Sequence, residues 1–412
     1  METTVSGRIA VTVEEGVEQL LSHCTKEIIE DVPLMRATGR VLARDFYSIF
    51  PIPHFRKAAM DGYAVHFSKI ASATPRKPVV LPVTSELRAG SSMLHEGNQA
   101  AVRIYTGAPV PEIYDTVIMQ EAVLSLEEEY PNVRFPHPTE RGKHIAEIGE
   151  DIREGTLILD EGTVITAKEV SILASFGLHE VGVYRKPTVA IIPIGDELQL
   201  PGELLKPNHL YESNGFMLEA RLKEIGANCL RYDPVPDHPF LIHSAIQTAL
   251  MDADVILTCG GVSVGKYDYM LQVMKEISNQ TLFTQVLLRP GSPTSAFVVN
   301  KKLSLHLSGN PSACFTGFEL FVKPALLFKS GRKKFRNEVV EALLADDVRK
   351  PCPYPRYVRS FAEVRNSTLY VMPLTNDKSG NIAAFANTNA LTLIPSGGQG
   401  AKKGDKVQLF QI

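Results

Sequence analysis

Paired cysteines are missing from this chain. Its five cysteines, Cys24, Cys229, Cys259, Cys314 and Cys352, stand apart from one another, with no C-x-x-C pair and no zinc-like spacing. That pattern excludes a disulfide scaffold and suits a reducing compartment, so a cytoplasmic protein is expected. A surplus of charge of one sign is also absent: 43 basic residues stand against 46 acidic ones, for a net charge of −3. Such a balance offers no global attraction to nucleic acid or anionic lipid, and any anion must be bound locally. Neither nucleic acid nor a membrane is therefore an expected partner. No stretch of about 18 consecutive apolar residues could span a bilayer. The first residues carry Glu14, Glu15 and Glu18 instead of a basic segment followed by an apolar run, which argues against secretion.

What is present is a composition of 44% hydrophobic and 22% charged residues, inside the range of folded globular proteins, on a chain of 412 residues that is too long for one ordinary core. From Val13 to Leu42 the spacing of Val17, Leu20 and Leu21, followed by Leu34 and Thr38-Gly39-Arg40, predicts helix, short loop, helix, as part of an elongated helical domain. Between Tyr47 and His144 the texture turns to short β-rich runs (78–83, 99–106 and 116–124) broken by Pro and Gly, which reads as an inserted β domain. Ile165 to Phe176 is amphipathic again, with Val170, Leu173 and Ala174 on one face, and returns the chain to the first domain. Residues 187–328 alternate apolar runs with amphipathic stretches, the signature of an open, mostly parallel α/β sheet. Beyond Gly331, Arg332, Lys333 and Lys334 form a basic patch, a Pro-rich break follows at Pro351, Pro353 and Pro355, and the runs 357–364, 368–373 and 406–412 read as a small all-β domain. The expected division is thus α/β multidomain: 1–47 with 149–183, an inserted 48–148, an α/β domain over 184–330 and a β domain over 331–412.

The most informative stretch is Asp254-Val-Ile-Leu-Thr-Cys-Gly260-Gly261-Val-Ser263-Val-Gly265-Lys-Tyr-Asp268. A buried strand ends in glycines that let backbone amides approach an anion, Ser263 adds a hydroxyl donor, and a helix begins just after. Ser308-Gly309-Asn310-Pro311 repeats the theme where the strand Leu303 to Leu307 gives way to a long helix reaching Phe321. Leu288-Arg289-Pro290-Gly291-Ser292-Pro293 follows a further strand run and supplies a cation. Three such turns on one side of a sheet could hold a substrate carrying several phosphates, since ligands of open α/β sheets bind beyond the carboxyl ends of the strands. Carboxylates in loop-like contexts, Asp61, Asp151, Glu197, Asp237 and Asp268, form an inventory suited to magnesium, which takes carboxylate oxygens together with substrate phosphates. Gly261-Val-Ser263-Val-Gly265 also fits the G-x-S-x-G elbow of α/β-hydrolases. That mechanism needs a downstream histidine, and the single one after residue 265 is His306, inside the alternating run Leu303-Ser-Leu-His-Leu, where a packed histidine is the better expectation.

Taken together, Pro53-His-Phe55 with Ala59-Met60-Asp61-Gly62-Tyr63, Tyr105-Thr106-Gly107-Ala108-Pro109, Gly149-Glu150-Asp151, Gly195-Asp196-Glu197-Leu198, Gly260-Gly261-Val-Ser263-Val-Gly265 with Asp268, and Gly309-Asn310-Pro311 resemble the MoeA family, which includes the E domain of gephyrin, over nearly the whole chain. The resemblance implies a cytoplasmic molybdopterin molybdenumtransferase that inserts molybdate into adenylylated molybdopterin with Mg2+-dependent release of AMP. It implies a homodimer with a molybdopterin-binding α/β domain and a C-terminal β-barrel, and with the active site at the subunit interface. Gly260, Gly261, Ser263, Gly265, Pro290, Gly291, Ser292, Ser308, Gly309, Asn310 and Pro311 would contact the substrate, with Thr106. Asp61, Asp151, Glu197, Asp237 and Asp268 would serve catalysis, and Asp61, Glu197 and Asp268 the metal. Asp61, Thr106 and Asp151 would reach the cleft from the partner subunit. Arg359 and Ser379 match the positions expected to hold molybdate, as a cationic fork and a hydroxyl. The implied functional partners are the molybdopterin adenylyltransferase and proteins that mature molybdoenzymes.

The chain departs from the family pattern at Ser292, where many members have lysine, at Ser308 in place of a proline, at Ala58 in place of a serine, and at Ala383 and Ala384 in place of small hydroxyl residues. Loss of the lysine weakens oxyanion binding, while Arg289 keeps one positive charge nearby. These changes leave two alternatives beside the transferase: a non-catalytic molybdopterin carrier or scaffold, and a paralogue that prefers tungstate.

Overall fold

The computed structural model describes residues 3–5, 8–92, 100–125, 132–262, 269–349, 351–374, 378, 380–397 and 400–412. Two compact units result: Met1–Arg44 with Glu161–Ser171 and Leu178–Ile412, and Asp45–Asp160 with Ile172–Gly177.

The first unit opens with helix α1 (Val13–Ser22). The Thr12 hydroxyl accepts from Glu15 N at 3.2 Å and the Glu15 carboxylate accepts from Thr12 N at 2.9 Å, a reciprocal cap that satisfies two amides of the first turn. Its apolar face (Val13, Val17, Leu20) packs into the core of the α/β sheet beside Phe283 and Phe321. Gly16 permits this approach, since a Cβ there would stand 3.0 Å from the Phe321 ring. The second helix expected before Leu42 does not form. Ile29–Pro33 is instead a strand paired antiparallel with Glu180–Tyr184, followed by a 3-10 turn at Leu34–Arg36. Pro33 explains the difference: it has no amide to donate and pushes Val32 out of the helical region.

The sheet of the α/β region is built from β1 (Thr188–Ile194), helix α2 (Asn214–Ile225), β2 (Asn228–Arg231), α3 (Pro239–Asp252), β3 (Val255–Gly260), α4 (Tyr269–Ile277), β4 (Gln280–Phe283), β5 (Ser295–Val299) and β6 (Lys302–Leu307). The strand order is β2-β1-β3-β6-β5-β4. The first four run parallel, and β5 and β4 add an antiparallel edge. Val189 and Ile191 of β1 face one buried layer, Ala190, Ile192 and Ile194 the other. Burial on both faces is why the strand reads as an unbroken apolar run. After β6 come α5 (Pro311–Gly317), a π turn at Phe318–Val322 and α6 (Lys323–Lys329).

The last region is a closed five-stranded barrel of β7 (Val340–Leu344), β8 (Arg356–Arg365), β9 (Thr368–Pro373), β10 (Ala390–Ile394) and β11 (Lys406–Gln411), in the order β7-β9-β8-β10-β11. Closure leaves no free sheet edge. Tyr357, Leu391 and Phe410 of the barrel share the core that holds α1 and the α/β sheet. Arg289 stitches the two regions through its backbone, donating to Pro355 O at 3.0 Å and accepting from Tyr357 N at 2.8 Å.

The second unit contains a six-stranded sheet in the order Leu124–Ser125, Asn132–Phe135, Val79–Leu87, Ala101–Ile104, Gly62–Val65, Thr116–Met119, as the β-rich texture of that stretch predicts.

Candidate functional site

The carboxyl ends of β1, β3 and β6 lie side by side, with Ile194 in register with Gly260 and Cys259 in register with Leu307. Above them opens a cavity of about 680 Å³. Its floor depends on missing side chains. Gly260 has φ +97°, and a Cβ there would lie 2.0 Å from the Ile194 carbonyl oxygen. On Gly261, with φ +67°, a Cβ would come within 3.0 Å of the Ile194 side chain, and one on Gly309 would meet Gly260 Cα at 3.4 Å. The two glycine turns therefore pack backbone to backbone.

Two helix N-termini border the floor. Asn214, first residue of α2, donates from Nδ2 to Gly309 O at 2.7 Å and ties that helix to the second turn. Pro311 opens α5, and the Ser308 hydroxyl accepts from Asn310 N at 3.3 Å. Backbone amides at such ends, with the helix dipole behind them, favour phosphate oxygens. Glu212 is buried just before α2, accepting from Gly215 N at 2.6 Å, and burial raises its pKa.

Glu197 and Asp237 also line the cavity. Asp237 N donates to the Asp196 carboxylate at 3.1 Å. Partial burial raises the pKa of Asp237, and the neighbouring charges of Asp196 and Glu197 push the same way. This acidic wall is where a hard cation would relieve repulsion. Among the described residues no three His, Cys, Asp or Glu side chains already form a metal-binding group. The barrel contributes Gly380 and Ile382.

Two models of the MoeA family cover the ends of the chain, its N-terminal region (domain I and II) matching residues 11–177 and its C-terminal region (domain IV) residues 341–412. A probable molybdopterin binding domain matches 190–327, the region that carries the cleft floor. The molybdopterin molybdenumtransferase of Staphylococcus epidermidis is 34% identical over 410 residues, 99% of this chain and 97% of the relative. The chain belongs to the MoeA family. A molybdopterin molybdenumtransferase of Staphylococcus aureus is 33% identical over 407 residues, 98% of this chain and 96% of the relative. The crystal structure of a MoeA protein from Pyrococcus horikosii superimposes with a TM-score of 0.87 at 28% identity, covering 98% of this chain and 99% of that one. The α/β sheet and the closed barrel are thus those of the MoeA fold, as expected from the sequence.

Within this MoeA chain, Gly260, Gly261, Ser308, Gly309, Asn310, Pro311, Glu197 and Asp237 line one cavity. Ser263, Gly265, Asp268 and Ser379 lie outside the described residues. Pro290, Gly291 and Ser292 sit in the turn before β5 and do not line the cavity; the Ser292 hydroxyl closes that turn by donating to Val286 O at 3.0 Å. Asp61, Thr106 and Asp151 belong to the second unit. Asp61 there accepts from both the amide and the hydroxyl of Thr106, at 2.8 and 2.7 Å, and these bonds lower its pKa. Asp151 donates through its amide to Ile52 O at 3.0 Å. Arg359 is fully buried in the barrel, donating to the carbonyls of Asn381 and Lys378 at 2.8 and 3.0 Å.

The residues that sequence reasoning missed are Tyr211, Glu212, Asn214, Gly380 and Ile382. Glu212-Ser213 just ahead of the amphipathic α2 was a usable helix-start signal.

His306 is the packed histidine expected of its strand. It lies between the hydroxyls of Thr258 at 2.9 Å and Ser304 at 3.2 Å, and burial pushes its pKa down to about 3 from an ordinary 6.5. A hydrolase triad finds no base here. Because the folded pKa is depressed, the neutral ring stabilises the fold above pH 6.5, and that contribution is lost as pH falls toward 3. Between pH 7 and pH 5 wild-type stability should drop by about 2 kcal/mol from this group, at the limiting slope of ~1.4 kcal/mol per pH unit. Urea denaturation at the two pH values should show a smaller drop for His306→Gln; equal drops would assign the loss to other groups.

Proposed function

We propose that this chain is a molybdopterin molybdenumtransferase acting on adenylylated molybdopterin and molybdate, with AMP as the leaving product. The observation that supports this reading most is the cleft itself. Two glycine turns and two helix N-termini suited to phosphate oxygens share one cavity with acidic residues suited to a cation, in a volume fit for a nucleotide-sized ligand.

In this proposal the amides around Gly260, Gly261 and Gly309, with Ser263, Gly265, Ser308, Asn310 and Pro311, hold the phosphates and pterin. The turn Pro290-Gly291-Ser292 supports that edge of the site. The donor chemistry of the acidic wall fits Mg2+: Glu197 would hold it, with Asp61 and Asp268 as further carboxylates and the remaining positions left to substrate phosphates and water. A Mg2+ ion held there would supply charge neutralisation for the phosphoanhydride. Asp237 and Asp151 complete the catalytic set. Asp61, Thr106 and Asp151 are assigned to the cleft of a partner subunit in a homodimer, where Thr106 keeps Asp61 ionised and oriented. No protein nucleophile is needed, because the residues position two anionic substrates and balance the charge that develops as AMP departs. Arg359 and Ser379 are assigned to the molybdate end. A cytoplasmic setting belongs to the same reading, and no helix among the described residues is long and apolar enough to cross a membrane. An adenylyltransferase would supply the substrate, and proteins that mature molybdoenzymes would take the product.

The test is AMP release from adenylylated molybdopterin by the purified protein, with and without molybdate, tungstate and a chelator of Mg2+. Molybdate-dependent release abolished by the chelator is expected. Tight binding without cleavage would instead make the chain a carrier, and faster release with tungstate would make it the tungstate paralogue. Asp268→Asn should reduce turnover by about 100-fold or more with the fold intact, and wild-type turnover in that variant would remove Asp268 from the catalytic set.

A further inference from the structure

The guanidinium of Arg359 is placed to do more than touch an oxyanion. It is fully buried inside β8, and its two terminal nitrogens reach the carbonyls of Lys378 and Asn381, on either side of Gly380. Its Cζ lies over the Phe385 ring, 5.0 Å from the centroid. Phe385 belongs to the 3-10 turn Ile382–Asn387, which with Gly380 supplies the barrel-side lining of the cleft. The same ring meets Phe315 edge-on at 5.2 Å, and Phe315 lies on α5, the helix that starts at cleft residue Pro311. Barrel strand, turn and α5 are thus joined in one contact chain.

We infer that Arg359 is a positioning residue that fixes the barrel-side wall of the cleft, so that it governs how tightly the nucleotide substrate of the proposed reaction is held. A buried cation must be compensated, and two carbonyl dipoles and an aromatic face contribute to this from the turn that carries Gly380 and Ile382. Any shift of that turn would break both carbonyl bonds and the ring contact. The planar fork spans two carbonyls three residues apart, a geometry the single ammonium of lysine cannot reproduce. The role rests on the transferase reading for its effect on turnover, while the clamp itself can be tested without it.

The experiment compares full-length wild type, Arg359→Lys and Phe385→Ala by hydrogen–deuterium exchange over 380–388, and by steady-state AMP release with adenylylated molybdopterin and molybdate varied separately. Both variants should exchange faster in that segment. Both should raise KM for the nucleotide substrate about five- to tenfold, with a smaller change in kcat. Phe385→Ala keeps the guanidinium and its carbonyl partners, so it decides the matter if Arg359→Lys fails to fold. Unchanged exchange in both variants overturns the clamp. A rise confined to the molybdate KM of Arg359→Lys, with Phe385→Ala silent in both exchange and KM, would limit Arg359 to its oxyanion role and overturn the clamp. Absence of AMP release by the wild type would sink the transferase reading alone, and the exchange data would still decide the clamp.

Discussion

A Gly260→Ala protein should be destabilised by about 4 kcal/mol or more, among the largest effects a single methyl group can have. The added Cβ would lie 2.0 Å from the Ile194 carbonyl oxygen, at a backbone φ of +97° that non-glycine residues avoid. Ile194 and Gly260 are register partners, so β1 and β3 would have to part at the end that forms the cleft floor. Gly226→Ala separates the two causes. Gly226 caps α2 at φ +85°, but its Cβ would meet its nearest neighbour at an ordinary 3.7 Å. That variant should lose only about 1 kcal/mol, the usual cost of a left-handed alanine. Urea denaturation of the two proteins is the comparison; equal losses would mean that the contact with Ile194 is relieved at little cost.

The second large effect is expected at Glu319, a carboxylate with no exposed surface in the π turn after α5. Arg221 of α2 approaches one of its oxygens through Nε at 2.9 Å and through a terminal nitrogen at 2.5 Å, and Lys323 approaches the other at 2.9 Å. Arg221→Met leaves the buried charge half-compensated and should cost about 3 kcal/mol. Adding Glu319→Leu together with Lys323→Met should restore at least half of that loss, since the emptied site no longer carries the desolvation penalty of any of the three charges. If the triple variant is as unstable as the sum of the singles, the cost lies in packing around the π turn and not in the stranded carboxylate.

The parallel strands were legible because sheets covered on both faces leave unbroken apolar runs such as Thr188 to Ile194. The cleft floor was legible too, because Gly260, Gly261 and Gly309 follow strands directly. Less could be read where a residue's role depends on what arrives from afar. The periodicity of Val13 to Leu21 gives a helix and its buried face but not the identity of the partner, which is Phe283 and Phe321. Ile29–Pro33 carries the same residue types as a helix edge, and its pairing with Glu180–Tyr184 decides the outcome. Gly380 and Ile382 look like ordinary turn residues; they join the cleft because the barrel docks on the α/β core. Ser292 was placed with the substrate on the strength of its motif, whereas its hydroxyl is engaged with Val286 O.

The docking of α1 into the α/β core bears on the order in which the chain can fold during synthesis. Gly16 packs against Phe321, about 300 residues later. At roughly 5–20 residues per second, the helix leaves the ribosome some 15–60 s before its partner. Throughout that interval Val13, Val17 and Leu20 have no finished core to enter, whereas the last strand of the Asp45–Asp160 sheet, Asn132–Phe135, is synthesised before the interval is half over. The inserted unit can fold early, and the helix that precedes it must wait for the α/β core to be translated.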